Sequence, residues 1–279
     1  MDRTAWLELP PEARSAVEAY TGPVDHAETA ETGVMARLAC TLHTATGPVF
    51  VKGTRSDEPA AWMSDYEARV TRVAPLAPSV LWQVDAGGWL LTGYEHLVGP
   101  HPDLSPGSPD LGPFLDTLAT MSEAPWPEQV RKKPLHIRWA GFFPDDRCPD
   151  LEGSALVHSD VSPLNMLATP SGVRVLDWAL ACPGPPWADA AFAIPRLIHA
   201  GHTPDHAEAL AQGLPAFRAA APEAVTTFAR AVCSVWSRRA QSDPAPHRGP
   251  LVSASQAWLA YRTQFASKDS DPASRCGRV

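Results

Sequence analysis

The sequence predicts an α+β protein of two lobes, a small strand-rich one followed by a larger, mainly helical one. Three observations predict it. Up to about residue 95 short apolar runs with strand character flank a single helical stretch. Beyond residue 110 the apolar residues recur mostly at helical spacing. Between the two regimes lies a Pro-rich stretch, Pro100 to Pro109, which reads as a lobe boundary with its connecting loop. At 279 residues the chain is long enough to bury a full core, as one large domain or two coupled lobes. The domain reading is 1–98 for the first lobe, 99–266 for the second and 267–279 for a polar, loose tail without apolar periodicity.

Taken in order, Pro11 to Tyr20 predicts a short helix. Val34 to Leu42 alternates, with Val34, Ala36, Leu38, Cys40 and Leu42 on one face, as a half-buried strand requires. Thr46-Gly47-Pro48 supplies a turn before Val49-Phe50-Val51-Lys52, the hairpin partner, with Lys52 at its end. Asp57 and Pro59 signal a helix start, and Trp62, Tyr66, Val70 and Val73 recur at helical spacing. Ser79 to Asp85 and Trp89 to Tyr94 predict two more strands joined at Gly87-Gly88. Predicted helices follow at Leu111–Ser122, Ala188–Ala200, Pro204–Gln212, Pro222–Ala240 and Leu251–Ala266. Two short apolar segments, Ala155–Val157 and Val173–Leu176, interrupt them.

Composition narrows the function classes. A hydrophobic fraction of 44% with no long uninterrupted apolar run argues against a membrane span, and the N-terminus lacks the pattern of a secretion signal, so a cytoplasmic location is expected. A formal net charge of -8 argues against a nucleic-acid partner and tolerates a cationic small substrate. The five cysteines are scattered without a Cys-x-x-Cys pair and read as reduced thiols. Oligomeric state is not legible.

The informative segment is Leu156-Val157-His158-Ser159-Asp160-Val161-Ser162-Pro163-Leu164-Asn165-Met166-Leu167, followed by Val173-Arg174-Val175-Leu176-Asp177-Trp178. Phosphoryl transfer needs an in-line hydroxyl and divalent cations that neutralise the transferring group. Asp160 follows one short strand with Asn165 five positions later, and Asp177 ends the next strand. A tight loop can then turn one carboxylate to the acceptor and the other oxygens to a metal. Solvated turn residues are the competing explanation, since turns use the same residue types.

The pattern His-x-Asp-x-x-x-x-Asn with a following Asp-Trp resembles the catalytic loop of aminoglycoside phosphotransferases and their choline and homoserine kinase relatives, with the distant outline of protein kinases. The resemblance implies a protein-kinase-like fold with the nucleotide between the lobes. It makes Asp160 the catalytic aspartate, Asn165 and Asp177 ligands of Mg2+, His158 a brace of the loop, and Asp189 its support from the next helix. Lys52 would meet the phosphates of ATP or GTP. Glu67, beside Met63 and Val70 on the buried side of its helix, would hold Lys52, in preference to Glu58. The strand end Glu95-His96-Leu97 is similar to an adenine-binding hinge, which makes Glu95 C=O and Leu97 N–H contacts to the base.

Two departures stand out. No Gly-x-Gly-x-x-Gly or Walker loop occurs, so Glu28 to Gly33 must cover the phosphates, and Ala179 stands where many relatives carry a glutamate. The implied reaction moves the γ-phosphate to a hydroxyl of a small acceptor, a cationic antibiotic among the candidates. The rivals are a housekeeping kinase for choline, homoserine or a sugar, a regulator that binds nucleotide without transfer, and a metal hydrolase built on His158 and Asp160. His199, His202 and His206 fall at three- and four-residue intervals, but Gly201 and Pro204 break the helix between them, so no metal is assigned there. Asp205, Glu208 and Asp243 are acids that could meet a cation, and none is assigned.

Overall fold

The computed structural model describes residues 3–30, 36–143 and 151–269. In chain order the elements are α1 (Pro11–Thr21), β1 (Val24–Thr29), β2 (Leu38–Thr44), β3 (Gly47–Arg55), α2 (Ala61–Thr71), β4 (Val80–Ala86), β5 (Trp89–Glu95), α3 (Leu111–Ser122), α4 (Leu135–Arg138), β6 (Ala155–Val157), β7 (Met166–Thr169), β8 (Gly172–Val175), β9 (Cys182–Gly184), α5 (Ala188–His199), α6 (Pro204–Gln212), α7 (Pro215–Arg218), α8 (Pro222–Ser242) and α9 (Arg248–Asp269). They form two compact units, Met1–Pro100 with Leu167–Leu180, and His101–Met166 with Ala181–Val279. Among the described residues no helix is long and apolar enough to cross a membrane.

In the first unit the sheet is antiparallel throughout, in the order β1-β2-β3-β5-β4. Period-two alternation assigns its faces. Leu38, Cys40 and Leu42 of β2 and Val49 and Val51 of β3 point to one side, where Ala13 and Val17 of α1 complete a core with Trp6, Trp82 and Leu91. Phe50 and Lys52, one residue out of phase, take the other side, against which α2 packs. The strand does not end at Lys52 as the apolar run suggested. It continues through Gly53, Thr54 and Arg55, because these residues pair with Leu91, Leu90 and Trp89 of β5. Lys52 is therefore fixed mid-strand.

β1 has no counterpart in the sequence reading. Val24-Asp25-His26-Ala27-Glu28-Thr29 is largely polar and half-exposed, and it forms because the edge of β2 offers unpaired backbone groups. Of the segment expected to cover phosphates, Glu28 and Thr29 end this strand and Ala30 N donates to Ala39 O at 2.9 Å. Residues 31–33 lie outside the described residues, as do Val34 and the 270–279 part of the expected tail. α9 itself runs to Asp269, past the predicted end at Ala266.

The second unit is mainly helical around α5, whose Ala188, Asp189, Ala190, Ala191, Ala193, Ile194 and Leu197 are buried. α3, α6, α7, α8 and α9 pack around it. Trp139, Phe192 and Phe228 form an aromatic cluster with ring centroids 4.9 to 5.7 Å apart. β6 pairs with β9 in register Ala155↔Gly184 and Val157↔Cys182, which sets the direction in which the chain leaves at His158.

Candidate active site

The residues predicted for the site fall into two groups, one in each unit. In the first unit Lys52, Glu67 and Asp177 come together. The Lys52 ammonium donates to Glu67 Oε1 at 2.6 Å and lies 3.6 Å from Asp177 Oδ1. Burial works against its charge, but Glu67 and then Asp177 outweigh it and hold the ammonium above its ordinary pKa. Lys52 stays protonated. Glu58, set aside from the sequence, instead ion-pairs with Arg37 at 2.7 Å.

Asp177 sits at a corner with φ 60°. That region is left-handed and sparsely used by residues other than glycine, although aspartate tolerates it better than most. The next residue, Trp178, holds the corner. It is fully buried and its Nε1 donates to Val175 O at 3.0 Å, so the chain turns over an anchored indole and leaves the Asp177 carboxylate partly exposed.

In the second unit His158, Asp160, Asn165 and Asp189 form a connected set. Ser159, with φ 63°, makes a left-handed bend immediately before Asp160. Asp189, in the first turn of α5, closes that bend by accepting from His158 N at 2.8 Å and Ser159 N at 3.0 Å. Burial raises the Asp189 pKa, while His158 and these two N–H groups pull it back down. Asp160 N donates to His158 Nδ1 at 3.2 Å, so that nitrogen acts as the acceptor. Asn165 Nδ2 donates both to Asp160 O at 3.0 Å and to Asp160 Oδ2 at 3.1 Å. The amide nitrogen is thus committed to Asp160, and the amide oxygen is the atom Asn165 has to offer a hard cation.

Glu95 and Leu97 stand apart from both groups. Glu95 ends β5, and its carboxylate accepts from Ser79 N at 3.0 Å and pairs with Arg174 at 3.1 Å. The Ser79 N–H first and Arg174 next hold its pKa below the ordinary carboxylate value, although burial opposes them. Leu97 lies partly buried in the extended segment after β5. That segment is tied to the β7–β8 hairpin: Ala168 N donates to Pro100 O at 2.8 Å, and Gly99 passes so close that a Cβ there would lie 2.1 Å from Ala168 O.

Sequence reasoning missed the arginines around Asp160. Arg196 of α5 places Nη2 3.5 Å from Asp160 Oδ1, and Arg138 of α4 places Nη1 3.5 Å from Ser159 Oγ. No local motif marks them, because only the packing of α4 and α5 brings them to the loop. Trp178 and Trp187, the tryptophans nearest the motif in sequence, are both buried. Among the described residues the only His/Cys/Asp/Glu group close enough for one ion is His26, Glu28 and His43 on β1 and β2, not the helical histidines. His202 is instead bonded to Leu104 O at 2.9 Å and to His206 at 3.0 Å.

Comparison with known proteins agrees with this architecture. The model of the family described as APH, Phosphotransferase enzyme family, matches residues 143–224, which include the Asp160 loop, Asp177 and Asp189. No curated protein matches the sequence. The fold is similar to that of an aminoglycoside phosphotransferase from Alicyclobacillus acidocaldarius, with TM-score 0.61 and 17% identity over 90% of this chain and 95% of that one. It is similar to the choline kinase LicA of Streptococcus pneumoniae, with TM-score 0.57 and 13% identity over 92% and 96%. An AMP-bound spectinomycin phosphotransferase gives TM-score 0.58 at 9% identity over 88% and 96%. The fold is therefore that of the kinase-like phosphotransferases, a five-stranded antiparallel sheet followed by a helical part. Over residues 143–224 the chain resembles the phosphotransferase family, as the loop pattern around Asp160 implied.

Proposed function

We propose that the protein is a nucleoside-triphosphate-dependent O-phosphotransferase that phosphorylates a hydroxyl of a small molecule. The observation that carries this reading is the Lys52 ammonium of β3 held between Glu67 of α2 and Asp177 at the corner after β8. Lys52 meets the phosphates of ATP or GTP, and Glu67 fixes its position. As the loop pattern implies, Asp177 and the Asn165 oxygen would hold Mg2+, which would offset charge on the transferring phosphoryl group. Asp160 accepts the hydroxyl proton of the acceptor. The acceptor oxygen then bonds to the γ-phosphorus as the bond to the β–γ bridging oxygen breaks, and its electron pair leaves with the nucleoside diphosphate. His158 and Asp189 keep the loop in the bent form that presents Asp160. In this reading the first unit serves the nucleotide and the second the acceptor.

An antibiotic is the first acceptor class considered, because an added phosphate dianion spoils a drug's fit to its target. A housekeeping kinase is the second reading, since the similar folds include a choline kinase. Incubation of the protein with ATP or GTP, Mg2+ and an acceptor panel, followed by mass spectrometry, tests the proposal. One added phosphate on an acceptor is expected. Release of phosphate from acceptors without any nucleotide would point to a hydrolase instead.

A further inference from the structure

The groups that surround Asp160 in the second unit have the wrong charge for a polycationic acceptor. Arg196 approaches Asp160 itself, and Arg138 approaches the hydroxyl of the preceding residue. Arg239, on α8, joins them through a shared platform: the guanidinium carbons of Arg196 and Arg239 lie 5.0 and 5.4 Å from the ring centroid of Trp236. Two cations stacked on one indole are oriented by its π face and held close to each other. The Arg196 side chain is only 15% exposed.

Such a gathering repels itself. Burial lowers the pKa of both Arg196 and Arg239, Asp160 raises both, and neighbouring arginines lower both again, Arg239 acting on Arg196 and Arg248 with Arg138 acting on Arg239. Asp160, which also accepts from Asn165, offsets charge on both Arg196 and Arg239. Among the described residues, three acids of the helical part that could have met a cationic ligand are already paired. Glu208 pairs with Arg262 and accepts from Trp258 Nε1 at 2.7 Å, Asp243 pairs with Arg248 at 2.8 Å, and Asp205 accepts from Tyr261 Oη at 3.4 Å.

We propose that Arg196 and Arg239, gathered on Trp236 beside Asp160, form an anion-binding subsite for the acceptor, which carries a carboxylate or phosphate group as well as the hydroxyl. The inference rests on the phosphotransferase reading and narrows its substrate class. Arg196 turns from the long contact with Asp160 to the anionic substituent, whose two oxygens match the planar guanidinium fork. Asp160 is then released for the hydroxyl. An antibiotic bearing a carboxylate fits this subsite, and an aminoglycoside does not.

The test uses the full chain saturated with Mg-ADP, so that the nucleotide site is filled, and reads binding by thermal shift and calorimetry. The probes are 6-phosphogluconate and gluconate, which separate phosphate from carboxylate recognition, with kanamycin and choline as cations. At least one anionic probe is expected to bind, with affinity falling about tenfold or more in Arg239→Gln and recovering only in part in Arg239→Lys, which keeps the charge but not the planar fork. Mg-ADP affinity should stay unchanged in both variants, which also shows that they fold. Preferred binding of kanamycin or choline, or anion binding equal in wild type and Arg239→Gln, would overturn the proposal. Failure of the wild type to bind Mg-ADP while the anion response persists would sink the nucleotide reading and leave the anion subsite standing.

Discussion

Lys52 has two carboxylates within reach, and the two contacts have different lengths. The 2.6 Å bond to Glu67 is a direct charge-assisted hydrogen bond, whereas the 3.6 Å approach to Asp177 is a looser ion pair. On the proposed function, this asymmetry suits Glu67 to hold the ammonium in place while Asp177 turns to a cation. Glu67→Gln should therefore weaken Mg-ADP binding about tenfold, as expected when one charge-assisted contact is lost, and isothermal titration measures it. Gly99 poses a steric problem of its own. A methyl group there meets the Ala168 carbonyl at 2.1 Å, so Gly99→Ala must displace either the linker or the hairpin. A loss of about 1–3 kcal/mol of stability in urea unfolding is expected.

At the scale of elements, the bend at Ser159 is held from α5 and not from its own strand. Asp189 accepts from two consecutive N–H groups at the left-handed turn, one bond buried and the other partly so. Asp189→Ala removes both of these acceptor contacts and should cost about 2–4 kcal/mol, with a matching loss of activity as Asp160 loses its setting. Chemical denaturation and kcat check the two effects separately. The long elements were legible because their periodicity is strong: the sequence places α3 and α6 at their observed bounds and α1, β4, β5 and α5 within a residue or two. The elements it missed are short, polar or built from residues that disfavour their own class. β9 is Cys182-Pro183-Gly184, and it exists because β6 pairs with it. α4 and α7 have too few residues to show a helical period.

At the scale of the molecule, acid stability is tied to the groups that join distant segments. Glu95 links β5 to Ser79 at the approach to β4 and to Arg174 of β8. Its pKa is lowered from an ordinary value near 4.5, so its contribution is fully present above that pH and is lost as pH falls through the depressed folded value. Unfolding measured between pH 2 and 6 should show a steeper acid loss for wild type than for Glu95→Gln, with the two converging at the lowest pH. Asp160, Asn165 and Asp177 stand out in the sequence only through motif spacing, whereas Arg196, Arg239 and Trp236 depend on helices meeting in space and carry no pattern along the chain.

The most direct measurement compares turnover with nucleotide binding in Asp160→Asn. Removing the acceptor-side carboxylate should lower kcat by about 10²–10⁴-fold while Mg-ATP affinity stays within a few-fold of wild type. Equal losses of nucleotide binding and turnover, or a variant that turns over as fast as wild type, would contradict the assignment of Asp160 to the transferred phosphate's acceptor.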